Sequence, residues 1–123
     1  MRPILVAAIL IALGGCTSQP RPDTDSRVRH WIEALHGPDA KLRKEAAFKL
    51  GNLGLTDPAT VVPALTAALK DPDAAVRCEA ILAVVKCGPA ANDAIGELTE
   101  VQQRDRDAKV RDYAGKALSK LKE

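Results

Sequence analysis

The 123 residues predict an all-α protein, a short solenoid of about three helix pairs, behind an N-terminal export leader. Three observations carry this. One phrase recurs three times at a spacing of 34 residues, each copy places aliphatic residues at helical intervals, and no segment shows sustained strand alternation. Apolar residues at 46% and charged residues at 28% suffice for a folded core and argue against wholesale disorder. The aromatics are Trp31, Phe48 and Tyr113, too few for a base-stacking platform. A net charge of +2 lacks the basic excess that phosphate contacts require, so no nucleic-acid partner is expected.

Residues 1–15 read as a signal peptide. Arg2 gives a positive start, and the apolar run Ile4 to Leu13 spans ~15 Å as a helix, half of a bilayer's hydrocarbon core. Leu13-Gly14-Gly15-Cys16 resembles the bacterial lipobox. That resemblance implies cleavage before Cys16, lipidation of its sulfur and acylation of the new amino end, since several acyl chains make a durable anchor. Thr17, in place of Asp, points to the outer membrane by the enterobacterial sorting pattern. The expected location is therefore the bacterial cell membrane or outer membrane, facing the periplasm or exterior. Residues 16–26 contain Pro, Ser and Asp and nothing large and apolar from Thr17 on, which predicts an extended tether.

Residues 27–123 form the repeat domain, with units at about 27–54, 55–91 and 92–123. DAKLRKEA from Asp39, DAAVRCEA from Asp73 and DAKVRDYA from Asp107 align without a gap. Leu50, Val84 and Leu118, then Leu53, Cys87 and Leu121, continue the stripe of each second helix. First helices are marked by Trp31, Ile32 and Leu35, then Val61, Val62, Leu65 and Leu69, then Ile95, Leu98 and Val101. The third copy carries one extra residue before Asp105. Asp57-Pro58 reads as an N-cap with Pro at the first helical position. Gly37-Pro38 and Asp71-Pro72 stop first helices, Asp39, Asp73 and Asp107 cap second helices, and Gly54 and Gly88-Pro89 end them. Gln102, Gln103 and Arg104 make the third unit a polar cap, and Trp31 and Phe48 supply bulk to the first.

These phrases resemble the HEAT-repeat family, especially the HEAT-like type described in phycobilin lyases. Leu69-Lys70-Asp71-Pro72-Asp73-Ala74-Ala75-Val76-Arg77 and the run Ala46 to Gly54 carry the resemblance, which covers Arg27 to Glu123. Tetratricopeptide repeats share the period, but they ask for several aromatics per unit and lack the D-x-x-V-R phrase. The resemblance implies a right-handed solenoid. It also implies a hydrogen-bonded ladder between a turn Asp and the Arg six residues later: Asp71 with Arg77, and Asp105 with Arg111. For Arg43 the turn position holds Gly37, leaving Asp39 as the alternative partner.

The resemblance further implies that the second helices line a concave face. Positions off the core stripe are Lys44, Glu45, Phe48 and Asn52, then Cys78, Glu79, Leu82 and Lys86, then Asp112, Tyr113, Lys116 and Lys120. From these, Glu45, Phe48, Glu79, Leu82, Tyr113 and Lys116 form the candidate protein-binding face. The alternative is a solvated face with Phe48 and Leu82 packed between repeats.

Catalytic chemistry is not expected. His30 and His36 lie about 600° apart on a helix, so they cannot share a metal, and neither begins the His-Glu pair of HEAT-repeat di-iron hydroxylases. Cys78 and Cys87 are ~13.5 Å apart along one helix, beyond disulfide reach. Cys87 falls in a core column and Cys78 in an exposed one. No phosphate loop, G-x-S-x-G, metal or cofactor is expected. The function expected is a membrane-anchored scaffold or adaptor of the cell envelope that binds a protein, with a bilin-lyase-like enzyme or accessory subunit, or a self-associating structural unit, as alternatives.

Overall fold

The computed structural model describes residues 22–123. The expected leader, the expected lipidation site Cys16 and the first half of the expected tether lie outside them. Six α-helices alternate along the described chain: α1 Pro22–Ala34, α2 Ala40–Leu53, α3 Pro58–Ala68, α4 Ala74–Lys86, α5 Ile95–Arg104 and α6 Ala108–Leu121, with a 3-10 segment at Gly88–Ala94 before α5. No strand occurs among the described residues. The second helices α2, α4 and α6 pack side by side, and α1, α3 and α5 lie against them as the other layer.

The described chain is helical from Pro22, so residues 22–26, expected in the tether, belong to α1. Val28 is buried one turn ahead of Trp31, so the apolar stripe of this helix begins earlier than the aromatic suggests. One core runs through all three pairs, with Leu50, Leu65, Leu69, Ile81 and Leu98 fully buried.

The capping carboxylates hold the second helices by their first turns. Asp39 accepts from the amide of Lys41 at 2.9 Å, Asp73 from Ala75 and Val76, and Asp107 from Lys109 and Val110. Asp57 departs from expectation: its backbone carbonyl starts α3 by accepting from Val61, and its side chain caps nothing.

The two glycines that end second helices do so for different reasons. Gly88 has φ 64°, a left-handed conformation that favours glycine. Gly54 has φ −63°, which any residue adopts; a Cβ there would collide with Cys87 Sγ. Its requirement is space between repeats, not backbone freedom.

The extra residue of the third unit has a local explanation. Before Asp71 the chain closes with 3-10 bonds, Leu69 to Thr66, Lys70 to Ala67 and Asp71 to Ala68. Before Asp105 it stays α-helical, Asp105 N–H donating to Val101 at 3.0 Å. A 3-10 turn uses one residue fewer, so both turns deliver their Asp to the same place. The 3-10 segment before α5 buries Ala91 and Ala94, small residues three apart that carry little hydrophobic signal.

Leu42 is 53% exposed, whereas its counterparts Val76 and Val110 are fully buried. α4 and α6 each pack against the second helix of the preceding repeat. Among the described residues no repeat precedes α2.

Candidate functional site

The arginines of the shared phrase occupy the turns between layers. Arg77 is 5% exposed; its Nε and Nη2 donate to the two Asp105 carboxylate oxygens at 2.8 and 3.0 Å, and its Nη1 to the carbonyls of Asp71 and Pro72. Arg43 repeats the arrangement with the Asp71 carboxylate and the Gly37 carbonyl. Arg111 gives its Nη1 to the Asp105 carbonyl at 2.6 Å. Each Arg therefore meets the backbone of the turn six residues earlier and, where a further repeat follows, the carboxylate 28 residues later.

This corrects the expected pairing. Asp71 joins Arg77 through its carbonyl, and its carboxylate belongs to Arg43. Gly37 fits the first rung because only its carbonyl is used there, and Asp39 is committed to capping α2. Burial would push the Asp105 carboxyl up, but hydrogen bonds from Arg77 and the Asp107 amide, with the charges of Arg77 and Arg106, outweigh it and hold the carboxyl below its usual range. These groups join repeats, and Asp71, Arg77 and Asp105 also border an open cleft of about 780 Å³ edged by Lys70, Glu97 and Arg104.

On the exposed side of α4 and α6 two hollows meet. The first, about 230 Å³, lies among Lys44, Cys78, Glu79, Leu82, Lys109 and Tyr113. The second, about 330 Å³, is floored by Ile81, Leu82, Val85, Tyr113 and Ala117 and edged by Lys116 and Lys120. Leu82 and Tyr113 line both. Leu82 is 44% exposed, a ridge between the hollows, and Tyr113 packs partly against the core.

The structure thus brings together Glu79, Leu82, Tyr113 and Lys116 from the expected face. Glu45 and Phe48 stand apart on α2. Phe48, 42% exposed, lies beneath Lys86, whose Nζ is 4.3 Å from the ring centroid and 3.3 Å from Asn52 Oδ1. Sequence reasoning missed Ile81, Val85 and Lys109. Val85 is three residues after Leu82, the available signal, but its column holds Gly51 and Ser119 in the other repeats and so does not read as a face.

Cys78, expected on an exposed column, is half-buried at the floor of the first hollow, and burial pushes its thiol up against the opposing influence of Lys109. Cys87 is buried and directs its Sγ at the Ala83 carbonyl, 3.4 Å away. His30 packs edge-on against Trp31, with ring centroids 4.8 Å apart. Among the described residues no three metal-ligating side chains cluster, and no helix is long and apolar enough to cross a membrane.

Stacked helix pairs, an inter-repeat arginine ladder and a groove on the second-helix layer define a helical-repeat interaction module. A family model for HEAT repeats matches residues 23–119, and the chain belongs to the HEAT-repeat family. Such repeats commonly mediate protein–protein interaction and are generally scaffolds and not enzymes. Among curated proteins, none matches the chain.

Proposed function

We propose that this protein is a membrane-anchored, protein-binding scaffold of the bacterial cell envelope. The observation that carries the binding half is the pair of adjoining hollows around Leu82 and Tyr113, an apolar surface left open on the second-helix layer of an interaction-repeat fold. The anchoring half rests on the lipobox-like residues ending at Cys16, outside the described chain. Confinement to a membrane raises the effective concentration of partners there, so modest affinity suffices for recruitment.

Photo-crosslinking in intact cells tests the binding half, with a probe replacing Tyr113 and a control probe at Thr66, which lines the opposite side against Val62 and Ala90. Capture of one discrete protein from Tyr113 alone supports the scaffold. Self-capture, or no capture, transfers the proposal to a self-associating structural unit. Cell fractionation tests the anchor: Cys16→Ser is expected to leave the membrane fraction, and persistence there would overturn the lipid reading.

A further inference from the structure

We propose that the groove between α4 and α6 receives an acidic amphipathic helix of another protein, with two apolar side chains one turn apart in the two hollows and carboxylates on the lysine rim. This rests on the scaffold reading and specifies its partner.

The geometry sets the size of the occupant. On α4 the groove runs from Ala74 to Val85, ~16 Å, which is about three turns of a docked helix. The α4 linings of the two hollows are centred about five residues apart, ~7.5 Å, nearer the ~6 Å rise between side chains at i and i+4 than the ~10 Å between i and i+7. Helices that lie in grooves use such anchors.

Charge sets the chemistry. Lys44 and Lys120 form no ion pair among the described residues, and Lys109 rests on the Tyr113 ring at 5.8 Å. Only Lys116 meets a carboxylate, Asp112 at 3.0 Å. On the acidic side, the Asp107 carboxylate is committed to capping α6. Glu79 is the remaining acid in the lining. Lys44, Lys109, Lys116 and Lys120 thus face the acids Glu79 and Asp107, with Asp112 paired to Lys116, and a small positive excess remains around an apolar floor.

Other occupants fit less well. A second copy placed face to face would set lysine rim against lysine rim. A flat lipid surface would rest on the lysine tips and leave Ile81 and Val85 uncovered.

The test uses the full-length protein in phosphatidylcholine nanodiscs and a fluorescein-labelled helical peptide of about fourteen residues, with leucines at i and i+4 and glutamates on the flanks. Anisotropy is expected to show binding that weakens as salt rises. A peptide with lysine in place of glutamate should bind at least about tenfold more weakly. Leu82→Glu should lose about tenfold or more, the Lys44→Glu and Lys120→Glu pair should weaken binding severalfold, and Leu55→Glu, at an exposed residue outside both hollows, should leave it unchanged. Thermal melting of each variant verifies folding, and the Leu82 side chain is exposed enough to tolerate the change. Equal binding of the lysine peptide, or indifference to Leu82→Glu, overturns the proposal. So does displacement of the peptide when phosphatidylglycerol replaces the neutral lipid, which would make a bilayer the occupant. A crosslinked partner from Tyr113 together with no acidic-peptide binding would leave the scaffold standing and remove this inference alone. No crosslinked partner would remove the scaffold reading itself.

Discussion

Arg77→Ala removes the most enclosed rung of the ladder. Its side chain is 5% exposed and makes four hydrogen bonds, two to the Asp105 carboxylate and two to turn carbonyls. Truncation leaves Asp105, whose side chain is 8% exposed, with the Asp107 amide as its remaining hydrogen-bond donor. Breaking a buried pair from one side costs about 3–5 kcal/mol. For a domain of this size each kcal/mol lowers Tm by roughly 4–8 °C, so a fall of at least ~12 °C is expected. Circular dichroism at the helical band, in heat and in urea, reads the change. The other two arginines supply the internal comparison. Arg43 is more exposed than Arg77 and should matter less, and Arg111, with its single hydrogen bond to a carbonyl, should matter least. Arg77→Lys keeps the charge but loses the bidentate fork, so it should recover only part of the stability. Equal losses from Arg77→Ala and Arg111→Ala, or a loss below ~1 kcal/mol from Arg77→Ala, would refute the claim that the ladder joins repeats.

Gly54→Ala should destabilise by about 1–3 kcal/mol because its methyl meets Cys87 Sγ; adding Cys87→Ala should recover part of the loss, which a double-mutant cycle in urea measures as non-additivity. Asp107→Ala removes the two amide acceptor contacts at the start of α6 and should cost about 0.5–2 kcal/mol by the same melts. The lowered Asp105 carboxyl contributes stability that is full above the unfolded carboxylate range near ~3.9 and is lost as pH falls through its folded value, so Tm should drop in that acidic window and drop less in Arg77→Ala. At pH 8, iodoacetamide followed by peptide mass spectrometry should label Cys78 slowly and Cys87 only after denaturation, since burial pushes both thiols up and Cys87 is the more enclosed; faster labelling of Cys87 would contradict the packing around Gly54.

The chain by itself determined the repeat unit, the capping aspartates, the polar last pair and the identity of the arginines, because each depends on residues a few positions apart along one helix or turn. Periodicity of 3.6 and the chemistry of caps are local, and they survive in the sequence as spacing. What the arginines bind was decided elsewhere. Their carboxylate partners lie 28 residues away in the next repeat, so Arg43 finds Asp71 and Gly37 needs to offer only a carbonyl, a relation visible only once repeats are stacked. Stacking also decided which apolar residues remain open. Leu42 and Val76 share a position in the phrase, yet only Val76 has a repeat before it; Gly54 is required by a sulfur 33 positions away; and Val85 joins the groove because α6 lies beside it. One helix pair cannot bury its own apolar face, so the surface left for a partner is whatever the neighbouring pairs fail to cover, and that is a property of their packing.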